Sequence, residues 1–94
     1  MDEVILKLKK YKPILYSKYG VKKIGVFGSV ARGDAKEESD IDIVVEINIL
    51  NPFILLDLKD ELKKILNRDI DLVRMRKHLN PALKQRIRKE VIYV

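Results

Sequence analysis

The chain has 94 residues, of which 47% are hydrophobic and none is cysteine, and its formal net charge is +6 at pH 7. This length predicts a single domain over residues 1–94, and the lack of cysteine excludes disulfides, zinc thiolate sites and cysteine nucleophiles. No run approaches the roughly 20 apolar residues that cross a bilayer, and the first residues lack the pattern of a secretory signal. We therefore predict a soluble, cytoplasmic protein with no membrane association.

The first half of the chain predicts two helices and two strands. Apolar residues at helical spacing indicate a long first helix, in which Pro13 should produce a kink or a restart. Ser29 is suited to cap a brief second helix, and Gly33 should end it. In chain order the predicted elements are a helix over 2–19, a strand over Val21–Phe27, a brief helix over 30–32 and a strand over 40–47.

The second half repeats one helix-start signal twice. Asn51-Pro52 and Asn80-Pro81 each have the form of an N-cap residue followed by proline at the first helical position. The remaining predicted elements are a helix over 52–66, a strand over 69–75, a helix over 81–90 and a short edge strand over 91–94. The order α-β-α-β-α-β-α-β predicts a mixed α/β fold with a small mixed sheet of three to four strands flanked by helices.

A glycine and a serine follow the first strand directly. Gly28 lets the backbone turn sharply and approach a ligand closely. Ser29 stands where the next helix begins, so N–H groups and the positive end of the helix dipole point outward. This arrangement predicts a phosphate cradle, although Gly-Ser pairs are common in ordinary turns and the pair alone is a weak signal.

Two aspartates at the start of the second strand strengthen the prediction. Asp40 and Asp42 are two residues apart on a strand, so their side chains share a face, and their mutual repulsion favours a cation beside them. Mg²⁺ typically binds one or two carboxylates together with substrate phosphates. The alternative is an idle, solvent-facing pair, but the apolar neighbours Ile41 and Ile43 make this a core strand.

The third strand offers a further carboxylate. Asp69 and Asp71 share a face, and we prefer Asp71 as the metal ligand because it lies deeper in the apolar run. Asp69, next to Arg68, fits a surface ion pair better. Three carboxylates on neighbouring strands beside a phosphate cradle suit a two-metal displacement at phosphorus.

The two motifs together resemble a known family. Gly28-Ser29-Val30-Ala31-Arg32-Gly33 with Ser39-Asp40-Ile41-Asp42 resembles the signature of DNA polymerase β-type nucleotidyltransferases. More closely, it resembles the minimal nucleotidyltransferase (MNT) antitoxins that are paired with HEPN toxins. The resemblance covers nearly the whole chain and implies the nucleotidyltransferase fold, ATP as substrate and two Mg²⁺ ions.

The resemblance also implies roles for individual residues. Gly28 and Ser29 would hold the β- and γ-phosphates, Asp40 and Asp42 would bind both metal ions, and Asp71 would bind the catalytic ion and help to deprotonate the acceptor hydroxyl. Two further motif positions leave alternatives open. Arg32 would either neutralise phosphate charge or form a salt bridge to Asp34 or Glu37. Ser39 would either donate a hydrogen bond to a phosphate or begin the strand.

The resemblance further implies the reaction and the partner. An MNT antitoxin would transfer AMP from ATP to a hydroxyl, expected to be a tyrosine, of its HEPN toxin, an RNase, and so silence it. Larger members of the superfamily have an additional helical domain, whereas this sequence ends at Val94, so we expect the partner to complete the site. A homodimer is an alternative source of stability when the chain is alone.

Other functions stay open at this stage. The chain could be a non-catalytic antitoxin that blocks its partner by occlusion, or a nucleotidyltransferase acting on a small molecule. A basic segment near the C-terminus fits partner docking, RNA binding or a solvated surface. It lacks interleaved aromatic residues for base stacking, which argues against direct nucleic-acid binding. Its members are Arg74, Arg76, Lys77, His78, Lys84, Arg86, Arg88 and Lys89.

Overall fold

The computed structural model describes residues 2–34, 36, 39–48 and 51–94. Within these ranges, helices and strands alternate in the predicted order, which confirms the α/β prediction. No helix in these ranges has the length and apolar character needed to cross a membrane. The elements are α1 (Asp2–Tyr19), β1 (Val21–Phe27), α2 (Gly28–Arg32), β2 (Ile41–Ile47), α3 (Pro52–Leu66), β3 (Ile70–Arg74), α4 (Pro81–Glu90) and β4 (Ile92–Tyr93).

The four strands form one mixed sheet in the order β3-β2-β1-β4. β1 pairs antiparallel with both β2 and β4, whereas β2 and β3 are parallel and joined through α3. The register places Asp42 of β2 opposite Phe27 of β1 on one side and opposite Asp71 of β3 on the other. This pairing determines the position of the site, because it brings the end of β1 and two aspartates to the same part of the sheet.

The two faces of the sheet are covered differently. On one face, α1 and α3 pack on a large apolar cluster that includes Leu8, Ile43 and Leu62, each with no exposed surface. On the other face, α4 covers a much smaller cluster. Since side chains alternate along a strand, Asp42 lies on the α4 face. The buried members of the smaller cluster are Phe27, Val44, Leu79 and Ile87.

The cap signals that predicted α3 and α4 are confirmed. The side chain of Asn51 accepts a hydrogen bond from the N–H of Phe53 at 2.9 Å. The side chain of Asn80 accepts from Ala82 and Leu83 at 2.9 and 3.3 Å. Each cap satisfies N–H groups that the first helical turn leaves without a partner.

Two local predictions are corrected by the structure. Of the kink or restart predicted at Pro13, the restart does not occur, because α1 continues through this residue. Pro13 is exposed, so the carbonyl that loses its helical partner lies on the solvent side. Ser29 does not cap α2, because the helix begins one residue earlier, with Phe27 as a cap residue that makes no side-chain bond. The end of α2 is as predicted, at Gly33 in the left-handed conformation.

Candidate active site

Gly28 forms the turn between β1 and α2. Its φ is +71°, which L side chains rarely adopt, and a Cβ added there would overlap Oδ2 of Asp42. Glycine is therefore favoured by the backbone conformation, and a larger residue would also displace the Asp42 carboxylate. The Gly28 turn therefore lies directly against the carboxylate of Asp42.

The backbone N–H of Gly28 already has a partner. It donates a 2.9 Å hydrogen bond to Oε2 of Glu90, at the C-terminal end of α4. The family resemblance implied that Gly28 binds phosphate, but in this structure its N–H is bonded to the Glu90 carboxylate. Ser29 follows in the first turn of α2, where helix geometry leaves N–H groups without intrahelical partners.

Asp42 and Asp71 are brought together by the parallel pairing of β2 and β3. The Asp42 side chain is 17% exposed, whereas Asp71 is exposed. Burial raises the pKa of the Asp42 carboxyl, and the charge of Asp71 and a hydrogen bond with it raise that pKa further. The charge of Asp71 disfavours the ionised form of Asp42, so a cation beside the two side chains would stabilise the site.

Asp40 is the third predicted metal ligand. It is exposed and immediately precedes β2, and its charge is the smallest contribution to the raised pKa of Asp42. In the ranges that the structure describes, no three carboxylate or histidine side chains converge closely enough to hold a metal ion. The structure thus brings two of the three aspartates together. A carboxylate pair still fits Mg²⁺, which completes its coordination with water and substrate phosphates.

Asp69 lies outside β3, and its side chain is 79% exposed. Its Oδ1 is 3.8 Å from Nζ of Lys63, so Asp69 forms the predicted surface ion pair, but with a lysine of α3 and not with the adjacent Arg68. Its backbone carbonyl accepts a 3.0 Å hydrogen bond from the N–H of Ile41. Asp69 therefore aligns β2 with β3 through its main chain, while its side chain points to a lysine of α3.

Arg32 forms a salt bridge with Asp34, one of the two alternatives for it. Its Nε is 3.2 Å from Oδ2 of Asp34, and its Nη1 is 2.9 Å from Oε1 of Glu90. The hydrogen bond to Asp34, followed by the one to Glu90, raises the pKa of the Arg32 guanidinium. The alternative partner Glu37 lies outside the described residues.

Ser39 lies two residues before β2, so it does not begin the strand. Its Oγ accepts a 3.2 Å hydrogen bond from the N–H of Lys36. Nη2 of Arg68 donates to the backbone carbonyls of Lys36 and Ser39. The two bonds from Arg68 tie the loop before β2 to the segment that leads into β3.

Sequence reasoning missed two residues of α4 that lie at the site. Nη2 of Arg86 is 3.7 Å from Oδ2 of Asp42, and Nε of Arg86 is 3.5 Å from Oε2 of Glu90. Burial raises the pKa of the Glu90 carboxyl, but the bonds from Arg32 and from the N–H of Gly28 outweigh it and lower the pKa. The i, i+4 spacing of Arg86 and Glu90 was a visible signal, but it did not reveal which strand the pair faces.

Comparison with known proteins identifies the family. The family model for polymerase β nucleotidyltransferases matches residues 9–94. The chain therefore belongs to the polymerase β nucleotidyltransferase family, which confirms the prediction of a nucleotidyltransferase enzyme. A relative from Methanocaldococcus jannaschii, provisionally named a protein adenylyltransferase, is 44% identical over 100% of this chain and 97% of its own length. Protein adenylyltransferase MntA of Thermococcus cleftensis is 36% identical over 100% of this chain and 95% of its own.

Solved structures place the chain near the minimal nucleotidyltransferases, as the sequence resemblance implied. One structure, provisionally described as a minimal nucleotidyltransferase, has a TM-score of 0.76 and 33% identity over 98% of this chain and 95% of its own. A toxin–antitoxin crystal structure with AMP-PNP has a TM-score of 0.70 and 27% identity, covering 98% of this chain and 69% of the matched chain. A tri-AMPylated Shewanella oneidensis HEPN toxin in complex with its MNT antitoxin gives 0.69 and 25%, over 96% and 70%.

Proposed function

We propose that this protein is an antitoxin that transfers AMP from ATP to a tyrosine hydroxyl of a cognate HEPN toxin and thereby silences it. The observation that carries the proposal is the pairing of Asp42 with Asp71 beside the side-chain-free turn at Gly28. The names of the similar proteins support the donor and the acceptor, since they include an adenylyltransferase, an AMP-PNP complex and an AMPylated HEPN toxin.

The residues proposed to hold Mg²⁺ are Asp42 and Asp71, with Asp40 contributing to a second ion. Their oxygen ligands match the preference of this hard cation. When bound, Mg²⁺ would neutralise phosphate charge and increase the electrophilicity of the α-phosphorus. The partial burial of Asp42 strengthens the case, because a partly buried carboxylate next to a second one is stabilised by a bound cation.

The proposed reaction is an in-line displacement. The acceptor oxygen forms a bond to the α-phosphorus, and the bond from that phosphorus to the oxygen bridging it to the β-phosphate breaks. Pyrophosphate leaves with the electron pair of the broken bond, and the hydroxyl proton passes to Asp71. Asp71 is exposed, so an incoming hydroxyl can reach it. Ser29 and the N–H groups of the first turn of α2 are the proposed contacts of the departing phosphates.

The exposure of the site supports a macromolecular acceptor. Asp40 and Asp71 are both exposed, which leaves room for a protein loop carrying the acceptor hydroxyl and offers few walls to position a small molecule. Catalysis requires both reactants to be oriented, and a docked toxin would supply the missing contacts. We place this reaction in the cytoplasm, where ATP and an RNase toxin meet.

The test is to purify the chain with the product of its neighbouring gene, add ATP and Mg²⁺, and weigh both proteins by intact mass spectrometry. We expect the partner to gain AMP, and we expect the gain to vanish in Asp40→Asn/Asp42→Asn. The matched control is Asp57→Asn/Asp60→Asn, which removes two exposed aspartates of α3 and should leave the transfer intact.

Two results would overturn the proposal. One is a wild-type protein that blocks the toxin with no mass gain on either chain, combined with full inhibition by the double variant, which would establish occlusion. The other is a mass gain that persists in Asp40→Asn/Asp42→Asn, which would place the chemistry elsewhere. Peptide mapping of the modified partner then checks whether the acceptor is a tyrosine.

A further inference from the structure

Arg86 faces the space between the Gly28 turn and β2. Its Nη2 is 3.7 Å from Oδ2 of Asp42, and a Cβ built on Gly28 would lie 3.1 Å from the same nitrogen. Its guanidinium carbon is 5.7 Å from the centroid of the Phe27 ring, where a cation is attracted by the aromatic face. The side chain is 48% exposed. Arg86 therefore brings a positive charge to the edge of the phosphate cradle.

Glu90 links this arginine to the turn. One of its oxygens, Oε2, accepts from the N–H of Gly28 at 2.9 Å and lies 3.5 Å from Nε of Arg86. The other, Oε1, accepts from Nη1 of Arg32 at 2.9 Å. The Glu90 side chain is only 20% exposed, so it has little freedom to adopt another position. A single carboxylate thus bonds to the backbone turn and to Arg32 and lies close to Arg86.

Arg32 and Arg86 lie at different distances from their carboxylate partners. Arg32 makes short contacts of 2.9 and 3.2 Å with two carboxylates, and these are close to the lengths of charge-assisted hydrogen bonds. The contacts of Arg86, at 3.5 and 3.7 Å, are longer than such bonds. A guanidinium has five N–H donors in a fixed fork that suits phosphate oxygens. Arg86 therefore keeps donors that a ligand in the cradle can use.

We propose that Arg86 binds the polyphosphate part of the nucleotide, and that Glu90 is the positioning residue that holds Arg86 and the Gly28 turn in place. The inference rests on the proposed use of ATP and adds a residue of α4 to the site. It also explains why the N–H of Gly28 is bonded to a carboxylate. In this arrangement the glycine amide anchors α4, and the phosphates are left to the following amides and to the arginine.

The test of Arg86 is calorimetric binding of MgATP and of AMP to the isolated chain, where no acceptor is present. We expect Arg86→Ala to weaken MgATP binding by about 10-fold or more, since it removes charged hydrogen bonds, and to leave AMP binding within about twofold. Arg88→Ala makes the same charge change two residues further along α4 and should bind both ligands like the wild type. Arg86→Lys, which keeps the charge but loses the fork, should fall between the two.

The outcomes separate this inference from the proposed function. Wild-type protein that binds neither MgATP nor AMP would refute the proposed function and this inference with it. If the wild type binds MgATP and the Arg86→Ala and Arg88→Ala variants bind it equally well, this inference alone is refuted. An equal loss of MgATP and AMP affinity in Arg86→Ala would also refute it, because the arginine would then act on the fold or on the nucleoside and not on the polyphosphate.

The test of Glu90 compares two variants in the transfer reaction with the toxin. Glu90→Gln keeps an acceptor for the N–H of Gly28, whereas Glu90→Ala removes it. We expect kcat to fall by about 10-fold or more in Glu90→Ala, on the scale seen when an outer hydrogen-bond partner is lost, and to be largely rescued in Glu90→Gln. A lower Tm with unchanged kcat and KM would reduce Glu90 to a structural residue. Tighter MgATP binding in both variants would also overturn the proposal, because Glu90 would then compete with phosphate.

Discussion

The two faces of the sheet differ in content: one holds most of the hydrophobic core, and the other holds the charged residues of the candidate site. The face under α1 and α3 is closed by fully buried aliphatic side chains such as Leu58 and Leu62. The face under α4 has only a small apolar cluster, and next to it lie Asp42, Arg86 and Glu90 with their opposing charges. One β-strand serves both faces, since Ile41 and Ile43 point to the first and Asp42 to the second. A fold of this size thus concentrates its hydrophobic contacts on one side and leaves the other side for the site.

The largest expected effect lies on the apolar face. Leu62→Ala removes a side chain with no exposed surface and should cost about 2–5 kcal/mol of unfolding free energy. The rate of AMP transfer per folded molecule should stay near that of the wild type. Urea unfolding and a transfer assay, both well below the melting temperature, check the two statements. A fall in transfer without a fall in stability would mean that the two faces are coupled.

The next effect lies on the site face and compares two aspartates of one segment. Asp71→Asn should lower AMP transfer by about 100-fold or more, the scale on which a positioned proton acceptor contributes. Asp69→Asn changes a side chain that is paired with Lys63 at the surface and should retain most of the activity. Steady-state rates of toxin modification measure both. Equal losses in the two variants would contradict the assignment of Asp71.

The N-caps of α3 and α4 provide a smaller, matched comparison. Asn51→Ala and Asn80→Ala should each cost about 1 kcal/mol of stability, because each removes an acceptor for N–H groups of the first turn. Only Asn80→Ala should also slow transfer, since α4 carries Arg86 and Glu90. Thermal unfolding and transfer rates distinguish the two. If Asn51→Ala slowed transfer as much, the division between the faces would be wrong.

The smallest expected effect is the destabilisation of the folded protein by the ionised Asp42 carboxylate. Burial, followed by the charge of Asp71, raises the pKa of the Asp42 carboxyl in the folded protein. The neutral carboxyl therefore stabilises the folded state below the pKa of Asp in the unfolded chain, about 4. This stabilisation is lost as the pH rises through the higher pKa of the folded state. Asp42→Asn should therefore melt a few degrees above the wild type at pH 7, with the difference vanishing below pH 4. Asp57→Asn, at an exposed position, should show little change at either pH.

The sign of this difference also tests the arginine beside Asp42. The charge of Arg86 lowers the pKa of Asp42 and works against burial. If Asp42→Asn melted below the wild type at pH 7, the ion pair with Arg86 would outweigh the burial of the carboxylate. Melting curves recorded across the pH range, without Mg²⁺ and without nucleotide, give the answer directly.

Much of the fold was predictable because its signals are local. Two Asn-Pro caps, the β-branched run of β1 and the left-handed Gly33 each depend on a few neighbouring residues, and all were confirmed. That Gly28 lies close to the aspartates was predictable only because Gly28-Ser29 and Asp40-Ile41-Asp42 together resemble a family motif. Ser29 was misjudged as a cap because the sequence does not show that α2 begins directly at the end of β1.

The amino-acid sequence by itself determined the order of the elements, the glycine turn and the aspartates on the strands, since these follow from spacing and side-chain chemistry within short segments. Only the tertiary structure decided that Asp42 and Asp71 lie opposite each other on paired strands, with the exposed Asp40 just before β2. It alone decided that Glu90 binds the N–H of Gly28, 62 positions away in the chain. Such contacts depend on how α4 packs across the sheet, and that packing is a property of the whole fold.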